Sequence, residues 1–155
     1  MITLKRILLP TDFSEHARTA QNYACDLAER FGAELHLLHI SIDVMAMVPE
    51  PGMNFLPPGD YLRDMQKSAQ DALSRWPDAK SASQLKIVRE VRVGTPFVEI
   101  VRYAKEADID LIVLGTHGRT GIAHALLGST AEKVVRKAPC PVLTIRPEGH
   151  QFSLP

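Results

Sequence analysis

Short apolar runs alternate along the chain with segments in which apolar residues recur every three or four positions. The runs predict five strands, at residues 7–10, 33–40, 85–93, 109–115 and 141–146, and the spaced segments predict a helix after each of the first four. Strands that alternate with helices over short connections form a parallel sheet with helices on both faces. The pattern predicts a three-layer α/β/α fold with a five-stranded parallel sheet in a single domain, residues 1–147, followed by a tail at 148–155.

Residues that start and stop helices support these boundaries. Ser14 is a good N-cap for the first helix, and Gly32 is a natural stop for it. The second helix is expected to begin at Asp60, and the third at Thr95 and Pro96, because proline fits the first helical turn. The second helix should bury a stripe of apolar side chains: Tyr61, Leu62, Met65, Ala69, Ala72, Leu73 and Trp76.

Two groups of polar residues in the strands are assigned structural roles. Lys86, Arg89 and Arg92 predict a solvated face of an outer strand. His36 and His39 lie three positions apart in a strand, so they point to opposite faces and cannot chelate a metal together.

The composition excludes several classes of partner. Lys and Arg number 18 against 18 Asp and Glu, which argues against nucleic acid as the main partner because such binding depends on neutralising phosphates. The two cysteines, Cys25 and Cys140, have no metal-type spacing and form no disulfide framework. No apolar stretch reaches the roughly 18 residues of a membrane span, and the first residues lack a signal-peptide layout. We therefore expect a cytoplasmic protein with no membrane partner.

Residues 43–59 interrupt the alternation of strands and helices. This segment holds four of the eleven prolines and three of the five methionines, which predicts a long loop. Its apolar side chains either cover a bound nucleotide or meet a partner, as methionine surfaces adapt to varied shapes, or fold over the domain's own core edge. These side chains are Met45, Met47, Met53 and Phe55.

Chemistry is expected at the carboxyl ends of the strands, where ligands bind in parallel sheets at the point where strand order reverses. A glycine-rich segment follows the fourth strand, with Gly115, Gly118, Gly121 and Gly128. Glycine lets the backbone approach a ligand closely, and the N–H groups that begin the next helix favour phosphate oxygens. The segment suits a polyphosphate, although neither GxxxxGK[ST] nor GxGxxG is present. The alternative is a loop that needs glycine only to leave a buried strand.

Nearly the whole chain resembles the universal stress protein family. RILLPTDFSEHARTA, residues 6–20, is similar to the family's first strand and turn, and GAELHLLHI, residues 32–40, to its second strand. The glycine-rich segment is similar to the G-x2-G-x9-G-[S/T] motif of the ATP-binding branch. Two residues separate Gly115 from Gly118, and nine more separate Gly118 from Gly128-Ser129. The resemblance implies a Rossmann-like fold of the adenine nucleotide alpha hydrolase-like type and a site for ATP, with ADP and AMP as alternatives.

The resemblance also implies where the nucleoside lies. Pro10, Thr11 and Asp12 would run along it, with Asp12 as a hydroxyl or adenine partner, and Ile40 would lie against adenine. Asp12 is also the candidate ligand for Mg²⁺ arriving with ATP, because Mg²⁺ usually takes one or two carboxylates and phosphate oxygens.

The implied ribose and phosphate contacts lie in the glycine-rich segment and the helix start after it. The residues are Gly115, Thr116, His117, Gly118, Arg119, Gly121, Gly128, Ser129 and Thr130. His117 is either an acid or base near phosphate or a loop side chain that faces solvent.

Three functions are compatible with these features. The first is an ATP-binding regulatory or stress-response protein whose conformation or dimer state responds to nucleotide, since no nucleophile–base pair is evident. The second is a weak Mg-dependent ATPase or nucleotidyl-transfer enzyme on the same site, because phosphoryl transfer needs mainly positioning and electrostatics. The third is an interaction module without a ligand. Members of the family commonly dimerise through the last strand, here from Pro141 to Arg146, so the resemblance implies a homodimer.

Overall fold

The computed structural model describes residues 1–42, 59–77, 84–116 and 128–146. Within these ranges strands and helices alternate as β1 (Arg6–Pro10), α1 (Glu15–Phe31), β2 (Glu34–Ser41), α2 (Tyr61–Ser74), β3 (Ile87–Val93), α3 (Pro96–Glu106), β4 (Leu111–Gly115), α4 (Ser129–Lys137) and β5 (Val142–Ile145). The strands form one sheet in the order β3-β2-β1-β4-β5, and each neighbouring pair is parallel. The predicted α/β class and five-stranded parallel sheet are confirmed.

The core has one half on each side of the sheet, because successive side chains of a strand point to opposite faces. Ile7 and Leu9 of β1 are fully buried beneath α1 and α2. Leu8, between them, is fully buried on the other face with residues of α3 and α4. The sheet is therefore covered on both faces, as a continuous apolar run predicts for a central parallel strand.

Both predicted ends of α1 are confirmed. The Ser14 hydroxyl accepts a hydrogen bond from the Ala17 N–H at 3.2 Å. Gly32 ends the helix in the left-handed conformation at φ 63°, and its N–H donates to carbonyls of the last turn. A residue with a Cβ is disfavoured at that φ, which explains a glycine at this position.

The prediction for the buried stripe of α2 was wrong at its first turn. Tyr61 and Leu62 are 42% and 44% exposed, whereas Ala69 and Leu73 are buried. The helix packs on β2 and β3, and only its second half reaches the core. Trp76, just beyond the helix, is buried as expected. Apolar spacing identified the helix face, but not how far along the helix that face meets the sheet.

The basic residues at β3 agree with the prediction in part. The strand lies at the edge of the sheet, and Lys86, just before it, and Arg89 are exposed, as expected, but Arg92 is half-buried and both arginines have protein partners. Arg89 donates from Nε to the Leu73 carbonyl at 3.1 Å and from Nη2 to the Trp76 carbonyl at 2.9 Å. Its side chain therefore adds hydrogen bonds at the end of α2, where the Leu73 carbonyl also accepts the Trp76 N–H.

Arg92 lies in a network of charges between β3 and α3. Its guanidinium donates to Glu106 at 2.7 Å, lies within 4 Å of Glu90 and Glu99, and sits 4.8 Å from the centre of the Tyr103 ring. Burial opposes its charge, but the hydrogen bond and the three carboxylates outweigh burial and raise the pKa of Arg92. An exposed guanidinium would gain little from such pairs, whereas this side chain is only 20% exposed.

His36 and His39 face opposite sides of the sheet, as predicted. His36 is buried, with Nδ1 2.7 Å from the Tyr103 hydroxyl and Nε2 2.9 Å from a Glu34 carboxylate oxygen. Burial, with a further contribution from nearby carboxylates, raises the pKa of Tyr103. His39, on the α1 side, donates from Nδ1 to the Thr11 carbonyl at 2.8 Å. Each imidazole therefore has a structural partner on its own face.

Cys25 and Cys140 are both free thiols. Burial, followed by the charge of Asp110, raises the pKa of Cys140. Among the helices in the described ranges, none has the length and apolar character needed to cross a membrane.

Candidate functional site

The candidate site lies where β1 and β4 are neighbours at the centre of the sheet. The chain continues from β1 towards β2 on one side and from β4 towards β5 on the other, so strand order reverses between them. This is the position at which open parallel sheets bind ligands. The carboxyl ends of β1, β2 and β4 open onto a cavity of about 910 Å³.

The cavity brings together the described members of the predicted site. They are Pro10, Thr11, Asp12, Ile40, Gly115, Thr116, Gly128, Ser129 and Thr130, and all line the cavity. His117, Gly118, Arg119 and Gly121 lie outside the described residues, as does the 43–58 part of the proline-rich segment.

The turn from β1 to α1 fixes one wall of the cavity. Thr11 donates its N–H to the Leu38 carbonyl at 2.9 Å, and its hydroxyl accepts the Phe13 N–H at 3.0 Å. Asp12 Oδ1 accepts the Ser14 N–H at 3.0 Å, which is a side-chain-stabilised turn. One carboxylate oxygen of Asp12 is therefore used to hold the turn that presents this residue to the cavity.

Phe13 adopts an unusual conformation in this turn. Its φ is 64°, in the left-handed region that bulky residues rarely enter. The ring stacks on His39 with centroids 4.5 Å apart and meets the Trp76 ring edge-on at 5.7 Å. These aromatic contacts offset the backbone strain, and they hold Phe13 as part of the cavity lining.

The opposite wall depends on hydrogen bonds at the end of β4. Thr116 is 2% exposed, and its N–H donates to the Ile145 carbonyl at 2.9 Å. Its carbonyl accepts the Gly128 N–H at 2.6 Å. This hydrogen bond joins Thr116 to Gly128 and places the start of α4 beside the end of β4.

The N-terminus of α4 faces the cavity. Gly128 precedes the helix with an extended backbone, φ −64° and ψ 152°, and as a glycine it provides no capping side chain of its own. The first N–H groups of a helix have no helical acceptor, and the helix dipole makes this end positive. Ser129 and Thr130, the first two helical residues, line the cavity. This end of the cavity is therefore suited to an anion.

Sequence reasoning missed one wall of the cavity, contributed by α2. Tyr61, Asp64, Met65 and Ser68 line it, together with Ala69 and Ala72. The apolar spacing of α2 indicated a core-facing helix, and nothing in the pattern distinguishes packing against a sheet from bordering a cavity. Phe13 was also missed, although it follows directly after the predicted Asp12.

A metal site made by the protein alone is not evident in the described ranges. No three His, Cys, Asp or Glu side chains there converge as metal ligands. Asp12 and Asp64 both line the cavity, and Asp12 would need further oxygen ligands to hold Mg²⁺.

Comparison with known protein families agrees with this fold. A family model described as the Universal stress protein family matches residues 3–146. The chain belongs to the universal stress protein family. The predicted family resemblance is thereby confirmed, and the Rossmann-like form of the fold is that of universal stress proteins.

Individual relatives span nearly the whole chain. Universal stress protein MJ0531 of Methanocaldococcus jannaschii is 35% identical over 143 residues, which cover 92% of this chain and 82% of that protein. The solved structure of MJ0577, a universal stress protein of the same organism, has 28% sequence identity and a TM-score of 0.81, covering 96% of this chain and 99% of that one. A universal stress protein solved in complex with cAMP has 26% identity and a TM-score of 0.69, covering 93% of this chain and 98% of that one.

Proposed function

We propose that this universal stress protein binds ATP in the cavity at the β1–β4 switch point and responds to the bound nucleotide. The observation that carries the proposal is the N-terminus of α4, where Gly128 provides no capping side chain and which opens on a cavity that also contains the ends of β1, β2 and β4. Backbone N–H groups at a helix N-terminus favour phosphate oxygens. The relative solved with cAMP supports an adenine nucleotide as the ligand class.

The orientation of the nucleotide follows from the two ends of the cavity. The phosphates lie at Gly128, Ser129 and Thr130, where N–H and hydroxyl donors are available. The nucleoside then extends towards the ends of β1 and β2, where Asp12 and Ile40 line the cavity. Glu132, in the first turn of α4, is the nearest like charge in sequence, but it pairs with Arg136 at 2.9 Å on the exposed helix surface.

Mg²⁺ accompanies the nucleotide in this proposal, bound by phosphate oxygens and Asp12. Asp12 lines the cavity, and one of its carboxylate oxygens accepts the Ser14 N–H. This arrangement suits Mg²⁺, which commonly combines one protein carboxylate with phosphate oxygens and water.

A regulatory role fits the site better than turnover. In the described ranges the cavity wall provides N–H groups and hydroxyls at the start of α4 together with two carboxylates, Asp12 and Asp64, and the groups at the start of α4 bind phosphates without themselves supplying a base to activate water. We further propose a cytoplasmic homodimer that pairs through the edge strand from Pro141 to Arg146, with nucleotide state altering the dimer or its surface.

Thermal unfolding tests the proposal directly. Melting with and without saturating Mg-ATP should show a higher melting temperature with nucleotide, because a ligand at about 100 times its Kd stabilises the native state by about 2.7 kcal/mol. A melting temperature unchanged by ATP, ADP and AMP alike would contradict the proposal. Mass spectrometry of the ligand released from freshly purified protein identifies the nucleotide that the protein carries.

Phosphate release distinguishes binding from turnover. We expect no steady release of phosphate from Mg-ATP above the buffer rate. Steady release that disappears in Asp12→Ala would assign a Mg-dependent ATPase to the same site instead.

A further inference from the structure

The cavity has a second compartment on the side away from α4. Here it is bordered by the first residues of α1 and by one face of α2, and we call this part the α2 compartment. The residues that line it are Phe13, Ala17, Tyr61, Met65, Ala69 and Ala72. Its wall is thus mostly apolar, in contrast to the N–H groups and hydroxyls at the start of α4.

The compartment exists because small side chains occupy positions where larger ones would fill the space. Ala17, Ala69 and Ala72 line it, and α2 buries only Ala69 and Leu73 within the helix. Tyr61 is 42% exposed although it belongs to the apolar stripe of its helix. The first half of α2 therefore borders open space where its stripe would otherwise contact the sheet.

The chemistry of this wall is specific enough to define a ligand class. Phe13 is held by the stack on His39 at 4.5 Å, so it offers a fixed aromatic surface. Asp64 and Ser68, one turn apart on α2, are polar groups in the same wall. Binding sites for small molecules typically combine apolar and aromatic walls with a few such polar groups. A concave wall of this kind fits a small molecule better than a flat protein surface.

The volume leaves room for a ligand beside a nucleotide. At about 910 Å³ the cavity lies near the top of the range of about 300–1,000 Å³ typical of small-molecule sites. Phosphates at the start of α4 place the nucleotide on the far side of β1 and β4 from α2, with its base directed towards β2.

We propose that the α2 compartment binds a small uncharged aromatic or aliphatic molecule next to the nucleotide. The inference rests on the proposed function, because the nucleotide occupies the other half of the cavity. Contact between the two ligands would make the affinity for nucleotide depend on the apolar molecule, and by linkage the reverse holds equally.

The experiment uses the full chain and N-phenylnaphthylamine, a neutral dye that fluoresces in apolar surroundings. We expect saturable dye binding in the presence of saturating Mg-ATP. Ala72→Leu should weaken that binding by about tenfold or more, the scale on which a pocket discriminates by a single methylene group. Met65→Lys, at a half-buried position, should weaken it as well without adding bulk to the core. Gln70→Leu is the matched control, because Gln70 is exposed on the same helix and does not line the cavity.

The outcomes separate this inference from the proposed function. The melting shift with Mg-ATP is measured on the same samples. A shift without saturable dye binding would mean that the protein's own side chains fill the compartment, and the inference would fail while the nucleotide proposal stands. Complete displacement of dye by ATP would make the compartment part of the base site and would equally overturn the inference. Saturable dye binding without a melting shift from Mg-ATP would overturn both proposals, because no nucleotide would then be bound beside the dye.

Discussion

Single residues at the phosphate end of the cavity carry most of the proposed affinity. Gly128 is central because its N–H donates to the Thr116 carbonyl, just after β4, at 2.6 Å, and because its extended backbone leads into α4. That backbone, φ −64° and ψ 152°, is open to residues with side chains. A side chain there adds bulk beside the proposed phosphates without forcing the backbone into a strained region.

Gly128→Val should therefore weaken ATP binding without unfolding the protein. We expect a loss of at least about tenfold, because hydrogen bonds to charged groups are worth about 1.5–3 kcal/mol each. Isothermal titration measures the affinity and thermal melting checks the fold. Gly59→Val is the control, since a Cβ at Gly59 meets nothing within 4 Å. If Gly128→Val and the wild type bind ATP with equal affinity, the phosphates do not lie at Gly128.

The second residue-scale prediction concerns Tyr103, whose hydroxyl lies 2.7 Å from His36 Nδ1. Burial raises the pKa of Tyr103 above its ordinary value of 10.0, so the folded state prefers the neutral hydroxyl. The resulting stabilisation is complete below pH 10.0 and is lost as pH rises through the folded-state pKa. Tyr103→Phe should abolish this part of the alkaline decline in stability.

Tyr103→Phe should also reduce stability at neutral pH by about 1–3 kcal/mol, because it leaves the buried His36 without one partner. Urea unfolding at several values between about pH 8 and 11 measures both effects around the usual tyrosine pKa. Tyr23→Phe, at an exposed tyrosine on α1, is the control. An unchanged alkaline slope in Tyr103→Phe would show that other groups cause the decline.

Among the elements, α2 buries few of its own side chains and has contacts from a neighbouring strand at its end. It buries only Ala69 and Leu73, and it ends without a glycine or a basic residue of its own in the last turn. Arg89 of β3 donates to carbonyls at that end. The strand therefore supplies the C-terminal cap of the helix.

Arg89→Met should destabilise the protein by about 0.5–1.5 kcal/mol, because the methionine keeps the apolar stem but removes the guanidinium hydrogen bonds to the Leu73 and Trp76 carbonyls. Urea unfolding measures the change. Lys86→Met, just before the same strand, removes an exposed charge and should change stability by less than about 0.5 kcal/mol. Equal effects of the two variants would mean that the Arg89 contacts add nothing beyond a surface charge.

The elements were predictable from the sequence because their signals are local. Ser14 and Gly32 bound α1 as expected, since a cap depends only on adjacent residues. The partners of Arg89 were not predictable, because residues distant in sequence meet only when α2 packs on β3. The same reason explains the cavity: Asp12 was expected from its strand end, whereas Tyr61 depends on where a whole helix lies.

At the scale of the whole molecule, the sheet ends in two open edges, β3 and β5. In β5, the carbonyls of Pro141 and Ile145 point to β4, where they accept the N–H groups of Ile112 and Thr116. The peptide groups of Val142 and Thr144, which alternate with these, point away from β4, and the Leu143 side chain is 37% exposed. An edge of this kind is a template for pairing with another strand.

We expect the purified protein to be a dimer and Leu143→Lys to be a monomer, because a lysine on an edge strand opposes pairing. Light scattering after size exclusion measures the mass. Val93→Lys places the same charge on the opposite edge, at a residue that is 41% exposed, and should leave the dimer intact. A monomeric wild type at high concentration would contradict pairing through β5.

The strand order β3-β2-β1-β4-β5 has a consequence for biosynthesis. While the ribosome is still making the chain, β1 can pair with β2 soon after both emerge. Its other neighbour, β4, lies more than a hundred residues downstream of Lys5, as the hydrogen bond between Lys5 and Asp110 shows. The pocket between β1 and β4 is therefore completed late in translation. Until then, a nascent polypeptide lacks the α4 amides, so under the proposed binding mode nucleotide would stabilise the chain only after its second half has emerged.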